Sequence, residues 1–189
     1  YGADPTRIAV TGDSAGGHLS AAAINMIEMI GDGGFGKTKG VYQYRPTYIP
    51  KGKSAAQVRE ELRTAIKAAA PSYGIFDLKS TDSLLGLGES DDELKAVSPI
   101  YNIPDAKVRK APQFLLRGTE DFLISNDMVQ SYVDALKAAG QRAEYILVEG
   151  TGHAFLDWKP DANTKATFKQ IGVPNAAKMK DFFDSVFYP

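Results

Sequence analysis

Residues 8–17 read Ile-Ala-Val-Thr-Gly-Asp-Ser-Ala-Gly-Gly, and this stretch decides the fold. Its apolar first half predicts a short buried strand, and the alanine-rich residues 18–23 favour a helix directly after it. A Gly-x-Ser-x-Gly turn between a strand and a helix is typical of a nucleophile elbow, which lifts a strained serine clear of the sheet. A Cβ at Gly12 or Gly16 is expected to collide with the chain beside it. The alternative is an ordinary glycine-rich turn, and the partners of Ser14 decide between the two.

A nucleophilic serine needs a base, and the chain contains two histidines, His18 and His153. His18 lies one helical turn after Ser14, where a side chain points back along its own helix and meets a raised hydroxyl with difficulty. We therefore expect His18 to be a buried or half-buried structural residue. His153 follows the apolar run 143–148 on a loop flanked by glycines, where active sites of α/β sheets lie. We predict that His153 is the base.

A carboxylate should fix the tautomer of the histidine and stabilise the imidazolium. Residues 114–117 predict a buried strand, and the turn after it carries two candidates, Glu120 and Asp121. Asp121 directly precedes the apolar residues 122–124 and is better placed to face inward, whereas Glu120 suits a solvated position. The predicted set is Ser14, Asp121 and His153, in the chain order serine, acid, histidine.

The sequence resembles the esterase and lipase branch of the α/β-hydrolases, in particular the hormone-sensitive-lipase-like and the acetylxylan- or feruloyl-esterase-like enzymes. The resemblance is carried by residues 1–10 leading into residues 12–19, and by later motifs in the same order at residues 98–100, 117–121 and 150–155. It touches most of the chain and is weakest across residues 31–68. The resemblance implies an α/β fold with a mostly parallel sheet and flanking helices.

The resemblance also implies structure that these residues do not supply. Similar enzymes have an eight-stranded sheet whose fifth strand precedes the elbow, and an earlier His-Gly-Gly loop that forms part of the oxyanion hole. Only thirteen residues precede Ser14, so we expect the C-terminal portion of an α/β-hydrolase fold, with the Ala15 N–H as one oxyanion donor and the other from elsewhere. An open apolar strand edge invites pairing, and we expect a companion polypeptide that carries the N-terminal strands.

The composition is that of a soluble globular protein, with 43% hydrophobic and 24% charged residues. A formal net charge of −1 gives no indication of a nucleic-acid partner, and no apolar run is long enough for a membrane span. The absence of cysteine excludes disulfides and thiolate metal sites, and no metal or other cofactor is expected for this chemistry. The compartment stays open, although the resemblance is compatible with a secreted or periplasmic protein.

Strand and helix patterns alternate along the chain, which predicts a parallel α/β sheet in a single domain over residues 1–189. Within it, residues 31–68 are expected to form a loop and helix insertion. Strands are expected at residues 8–11, near 68–74, at 113–117 and at 143–148. Helices are expected at about 14–30, at 54–68 with Val58, Leu62 and Ile66 as apolar positions, within 82–97, at 126–139 and at 175–187.

Residues 31–38 match the phosphate-loop pattern G-x-x-x-x-G-K-[ST]. That motif works between a strand and a helix, and here a helix is expected before it and none after it, so we interpret it as a flexible loop. Nearby aromatic residues (Tyr42, Tyr44 and Tyr48, with Arg45) either line a substrate cleft or pack within the loop, and we favour packing. Phe155 and Trp158 are likewise expected to pack.

Together these features predict a serine hydrolase that cleaves carboxylic esters through an acyl-enzyme. The family resemblance implies small-molecule or carbohydrate-linked esters with short acyl groups, acetate above all. Two alternatives stay open. A peptidase of the prolyl-oligopeptidase type shares the order of the three residues, although such peptidases usually carry an aromatic residue beside the serine. The other alternative is an inactive fragment or an assembly subunit.

Overall fold

Four parallel strands form a single sheet whose strand order is the order of the chain. The computed structural model describes residues 2–189, and of residues 82–84 it describes the backbone alone; Tyr1, which begins the resemblance stretch, lies outside the described residues. The predicted α/β class with a parallel sheet is confirmed. The strands are β1 (Ile8–Asp13), β2 (Ile66–Ser72), β3 (Gln113–Gly118) and β4 (Ala143–Val148).

Helical crossovers connect the strands, as a parallel sheet requires. Within the part of the chain that the structure describes, no helix is long and apolar enough to cross a membrane. Short 3-10 turns cover Ile27–Met29 and Pro99–Asn102, and a π turn covers Phe168–Gly172. The helices are α1 (Ala15–Asn25), α2 (Ala55–Ala65), α3 (Leu78–Leu85), α4 (Asp91–Val97), α5 (Asn126–Ala138), α6 (Ala162–Thr167) and α7 (Val173–Phe187).

Local sequence explains where several helices begin. Ser54 and Ser90 each start a capping box, in which the serine accepts from the N–H three residues on and that residue's side chain accepts from the serine N–H. The predicted helix over 14–30 is shorter, since α1 ends at Asn25. The predicted helix over 54–68 was wrong at residues 66–68, which belong to β2, because burial in the sheet outweighs the helical spacing of Ile66 and a β-branched residue suits a strand.

The central strands are enclosed on both faces of the sheet. Leu115 and Leu116 are neighbours on β3, so their side chains point to opposite faces, and both are fully buried. Residues 68–70 of β2 are alanines, whose small side chains let α1 pack closely against this strand. By contrast, Ile8 and Val10 of the edge strand β1 are only half-buried. The best-buried strands are therefore β2 and β3.

A closed ring of hydrogen bonds lies inside the core, among three side chains that are not predicted site residues. Asn25 Nδ2 donates to the Tyr132 hydroxyl at 2.8 Å, and that hydroxyl donates to Gln113 Oε1 at 2.9 Å. Gln113 Nε2 closes the ring by donating to Asn25 Oδ1 at 3.0 Å. The ring ties α1, β3 and α5 together, and its polar atoms are satisfied although the side chains are buried.

Candidate active site

Ser14 occupies the sharp turn between β1 and α1. Its backbone has φ 54° and ψ −117°, in the left-handed region that costs a residue other than glycine about 1–3 kcal/mol. The Ser14 N–H donates to the carbonyl oxygen of Ser72 at 3.0 Å, and the Ser14 carbonyl accepts from the His18 N–H at 3.2 Å. The strained serine that the sequence predicts is therefore present, held by β2 on one side and α1 on the other.

The glycines around Ser14 do not all serve the same purpose. A Cβ at Gly12 would lie 2.3 Å from the carbonyl oxygen of Gly16, so the predicted collision at Gly12 is confirmed. A Cβ at Gly16 would meet nothing nearer than Asp13 Oδ1 at 4.0 Å, so the prediction for Gly16 was wrong. The second close approach lies at Gly17, whose Cβ would stand 2.5 Å from the Ser72 carbonyl oxygen where α1 crosses β2.

His153 lies within hydrogen-bond reach of both its predicted partners. Its Nε2 is 2.9 Å from Ser14 Oγ, across a sequence separation of 139 residues, and its Nδ1 is 2.8 Å from Asp121 Oδ2. With a proton on Nδ1, the imidazole donates to the carboxylate and its Nε2 accepts from the serine hydroxyl. The side chain is 13% exposed. The structure thus brings Ser14, His153 and Asp121 into one hydrogen-bonded chain.

Asp121 is held firmly in the turn after β3. Its side chain is fully buried, and Oδ1 accepts from the N–H groups of Leu123 and Ile124, both at 2.9 Å. The buried Arg117 guanidinium donates to the carbonyl oxygens of Asp121 and Ile124 at 2.9 and 2.6 Å. These bonds fix the direction in which Oδ2 points. Glu120, the alternative acid, is exposed on the outside of the same turn.

Two hydrogen bonds join the loop that carries the acid to the loop that carries the histidine. The Glu120 N–H donates to the Thr151 carbonyl oxygen at 2.9 Å. In the other direction, the Gly150 N–H donates to Thr119 Oγ1 at 2.9 Å. These two bonds hold the loops against each other, and so they help to set the separation of Asp121 from His153.

A mostly apolar cavity of about 370 Å³ opens beside Ser14. Ala15 lines it as the first residue of α1, and its N–H is one of those that a helix leaves without an intrahelical partner. That N–H can donate to negative charge that develops next to the serine. The remaining lining residues are His18, Leu19, Ile75, Leu78 and Ile124.

His18 is half-buried and does not bond to Ser14 Oγ. Its Nδ1 is 2.8 Å from the carbonyl oxygen of Ile75, which fixes the ring against the segment after β2. The expectation of a structural histidine agrees with this contact. His18 also lines the cavity beside Ser14 and a second, almost wholly apolar groove of about 460 Å³ along α1, which the sequence did not indicate.

The aromatic residues of the long loop after α1 pack mainly against one another. Tyr44 stacks on Phe35 with ring centroids 5.4 Å apart, and its hydroxyl donates to the Ala96 carbonyl oxygen at 3.3 Å. Tyr44 also lines the apolar groove, whereas Tyr48 is 76% exposed, so the expectation of packing was wrong at Tyr48. The phosphate-loop lookalike at 31–38 has neither a strand before it nor a helix after it.

The two aromatic residues after His153 behave differently. Phe155 is buried, as expected of a packing residue. Trp158 is 59% exposed, so the expectation that it packs was wrong. The segment runs along the surface there, and the contact recorded for the indole ring is the Lys165 ammonium, 5.7 Å from its centroid.

Sequence reasoning missed Tyr73, which lies under the histidine. The tyrosine ring meets the His153 imidazole edge-on, with centroids 4.8 Å apart. The hydroxyl of Tyr73 donates to Asp13 Oδ2 at 3.2 Å. One signal in the sequence could have identified Tyr73. It is an aromatic residue directly after a buried strand, at the edge of the sheet where Ser14 and His153 were expected.

Comparisons with known proteins agree with this architecture. A sequence profile of the alpha/beta hydrolase fold matches residues 1–157. Isoprenylcysteine alpha-carbonyl methylesterase ICME of Arabidopsis thaliana is 27% identical over 169 residues, which cover 82% of this chain and 35% of that protein. Esterase LipQ of Mycobacterium tuberculosis is 28% identical over 171 residues, which cover 82% of this chain and 34% of that protein. The chain spans about a third of the length of these curated relatives.

Among solved structures, the propionate-bound esterase Est2 of Thermogutta terrifontis is similar with a TM-score of 0.62. The two chains are 21% identical, and the match covers 99% of this chain and 58% of that one. At this level of identity, the likeness concerns the fold.

Proposed function

The chain belongs to the alpha/beta hydrolase fold family, and on that premise we propose that it hydrolyses carboxylic esters. Ser14 is the nucleophile, His153 the general base and acid, and Asp121 the residue that orients the imidazole. The observation that carries the proposal is the pair of hydrogen bonds on His153, 2.9 Å to Ser14 Oγ and 2.8 Å to Asp121 Oδ2.

The proposed reaction proceeds through an acyl-enzyme. His153 Nε2 takes the proton of the Ser14 hydroxyl as Oγ attacks the ester carbonyl carbon. Negative charge develops on the carbonyl oxygen, where the Ala15 N–H donates to it. The C–O bond to the alcohol then breaks and the alcohol leaves with the proton from Nε2. Water attacks the acyl carbon by the same steps, which releases the acid and restores Ser14.

The cavity beside Ser14 favours a substrate whose acyl group is small and apolar. Its lining is aliphatic apart from Ser14 and His18, and a short acyl chain fits beside Ile75, Leu78 and Ile124. The relatives named above are called esterases, and the solved neighbour holds propionate. We therefore propose short acyl esters of simple or carbohydrate alcohols as the substrate class.

A direct test uses p-nitrophenyl acetate together with a fluorophosphonate probe. We expect the protein to hydrolyse the ester. We also expect the probe to label a single residue, Ser14, as read by peptide mass spectrometry. The Ser14→Ala variant, which changes one oxygen atom, should show neither. Hydrolysis that survives in Ser14→Ala, or no labelling of the folded protein, would contradict the proposal. Faster cleavage of a proline anilide than of the acetate ester would favour the peptidase alternative.

We further propose that a companion polypeptide covers β1 and α1. The outer edge of β1 has no strand beside it among the described residues, and Leu19 of α1 is 66% exposed over the apolar groove. Such a segment would also supply a second oxyanion donor, whose loss typically lowers the rate by about a hundredfold to a thousandfold.

Light scattering and intact-mass analysis of purified material test the companion. Two species, or self-association of the 189-residue chain alone, are the expected results. The contrary result is a lone monomer of this chain that turns over p-nitrophenyl acetate at an ordinary enzyme rate, about 10 per second or more.

A further inference from the structure

Tyr73 lies directly after β2, between the turn that holds Ser14 and the loop that holds His153, and its side chain is fully buried. We infer that Tyr73 is a positioning residue, which couples the nucleophile turn to the histidine loop and so keeps Nε2 within reach of the serine. The inference rests on the proposed ester hydrolysis. It assigns to Tyr73 an effect on the reaction without contact with the substrate, since Tyr73 does not line the cavity beside Ser14.

The first half of the coupling is the contact with the nucleophile turn. The Tyr73 hydroxyl donates to Asp13 Oδ2 at 3.2 Å, and Asp13 directly precedes Ser14. One residue earlier, the carbonyl oxygen of Ser72 accepts from the Ser14 N–H at 3.0 Å. The end of β2 therefore holds the strained turn by one backbone bond and one side-chain bond.

The second half of the coupling is the contact with the histidine loop, the segment after β4 that carries His153. The Tyr73 ring is edge-on to His153 at 4.8 Å and tilted against Phe155 at 5.2 Å, both within the range of favourable aromatic pairs. Tyr73 thus contacts the histidine loop through its ring and the nucleophile turn through its hydroxyl, so a shift of either segment disturbs the contact with the other.

The backbone at Tyr73 is itself strained. Its φ is 36°, which is an outlier for a bulky residue and persists only where the surroundings over-determine it. The Tyr73 N–H is fixed by donation to the Leu116 carbonyl oxygen at 2.7 Å. A Cβ at the following Gly74 would lie 2.8 Å from the His18 backbone nitrogen, so the chain packs closely against α1 there. These contacts hold the strained residue in place, with its ring under the imidazole.

The Tyr73 hydroxyl keeps the proton with which it donates to Asp13. Burial, and the nearby Asp13 carboxylate, raise the pKa of the phenol well above its ordinary value. The hydroxyl therefore keeps its proton over the whole pH range in which a histidine-dependent hydrolase works. The bond to Asp13 is present whenever the site is active.

The test compares two variants that each remove one buried phenol hydroxyl. Tyr73→Phe keeps the aromatic ring and loses the hydrogen bond to Asp13, whereas Tyr132→Phe loses the hydrogen bonds to Asn25 and Gln113 in the core. The readout is inactivation by a fluorophosphonate, resolved into the maximal rate constant and the half-saturating concentration. We expect Tyr73→Phe to lower the rate constant about tenfold with the half-saturating concentration unchanged, because misplacement of a catalytic group acts on the chemical step. Tyr132→Phe should leave both values unchanged while it lowers stability toward urea.

A second variant tests the same coupling from its other end. Asp13→Ala removes the acceptor of the Tyr73 hydroxyl, and the double variant with Tyr73→Phe should be no slower than the slower single variant. If Tyr73→Phe does not fold, a rate constant for Asp13→Ala equal to that of the wild type overturns the inference, and a loss of about tenfold supports it. Equal rate constants for Tyr73→Phe and wild type, or independent losses that multiply in the double variant, also overturn it.

Failure of the proposed ester hydrolysis and failure of the role of Tyr73 give different experimental results. A wild-type protein that is not labelled at Ser14 contradicts the proposed function itself. A wild-type protein that is labelled normally, with Tyr73→Phe as fast as Tyr132→Phe, contradicts the role of Tyr73 alone.

Discussion

Gly118, the last residue of β3, lies so close to Thr151 that a Cβ on the glycine would stand 2.1 Å from the threonine carbonyl oxygen. The same oxygen accepts from the Glu120 N–H at 2.9 Å. The acid loop and the histidine loop therefore meet backbone against backbone. The 2.8 Å contact between Asp121 and His153 depends on that approach.

Gly118→Ala is expected to push the two loops apart, because neither main chain can yield the space that a methyl group needs. We expect ester hydrolysis to fall by about a hundredfold or more and the free energy of unfolding by about 2 kcal/mol or more. The matched control is Gly152→Ala, whose Cβ would be 3.8 Å from the Glu120 carbonyl oxygen, an ordinary contact. Equal rates for the two variants in a p-nitrophenyl acetate assay would show that the approach does not matter.

A second glycine pair separates the two ends of the nucleophile turn. Gly12→Ala places a Cβ 2.3 Å from the Gly16 carbonyl oxygen and should abolish the turn, seen as loss of fluorophosphonate labelling and of soluble folded protein. Gly16→Ala meets open space and lies in α1, where alanine stabilises a helix by up to about 1 kcal/mol relative to glycine. We expect Gly16→Ala to unfold at a higher urea concentration than the wild type. If Gly16→Ala instead fails to fold, the turn is tighter than its contacts indicate.

The hydrogen-bonded chain from Ser14 to Asp121 predicts the largest kinetic effects. Ser14→Ala, His153→Ala and Asp121→Asn should each lower kcat for p-nitrophenyl acetate by about ten-thousandfold, because the three groups act as a unit. Circular dichroism should show an unchanged fold. The comparison variant is His18→Ala, which is expected to lose far less activity. If His18→Ala, still folded, is as inactive as His153→Ala, the assignment of the base is wrong.

The size of the cavity beside Ser14 predicts how the acyl chain length is selected. Leu78 is one of its lining residues, and Leu78→Trp should fill space and shift the fastest p-nitrophenyl ester toward acetate. Leu78→Ala should enlarge the cavity and shift the optimum toward longer chains, with each lost or gained methylene worth about 1–3 kcal/mol. The wild type is expected to prefer short chains, so an optimum at eight carbons or beyond would contradict the proposed substrate class.

Stability at alkaline pH is predicted to depend on Tyr145. Burial raises the pKa of this phenol to about 12, and its hydroxyl donates to Asn126 Oδ1 at 3.0 Å. In the unfolded chain a tyrosine loses its proton near pH 10, so the unfolded state releases the proton first. Stability is therefore lost as the pH rises from about 10 through about 12. The free energy of unfolding, measured with urea over this pH range, should fall less steeply with pH in Tyr145→Phe than in the wild type. Identical slopes of the free energy against pH would exclude the effect.

The parts of the site that local sequence could predict are those set by their immediate neighbours. Ser14 is defined by the glycines and the strand and helix around it, and Asp121 was separated from Glu120 by the apolar residues that follow. The predicted helix ran too far, to residue 68, because Ile66 continues the spacing of Val58 and Leu62, and the alanines that follow show no alternation that would mark a strand. Motif spacing also could not say which glycine faces a neighbouring chain, and so Gly16 was wrongly included with Gly12.

Tyr73 was missed for a different reason. Its partner Asp13 lies 60 positions away in the sequence, and the edge contact with His153 exists only once β2 and β4 lie in the same sheet. No pattern within a few residues of Tyr73 reports such contacts. The exposure of Trp158 is a similar case, since it depends on where the chain runs after the histidine loop.

Because the strands lie side by side in the order in which they occur in the chain, the sheet can grow by one strand at a time as the polypeptide is synthesised. The serine arrives first with β1, Tyr73 with β2 and the acid with β3, while the histidine comes last, after β4. If the proposed mechanism holds, a chain that stops before residue 153 contains the nucleophile and the acid but no base, and we expect it to be inactive toward esters.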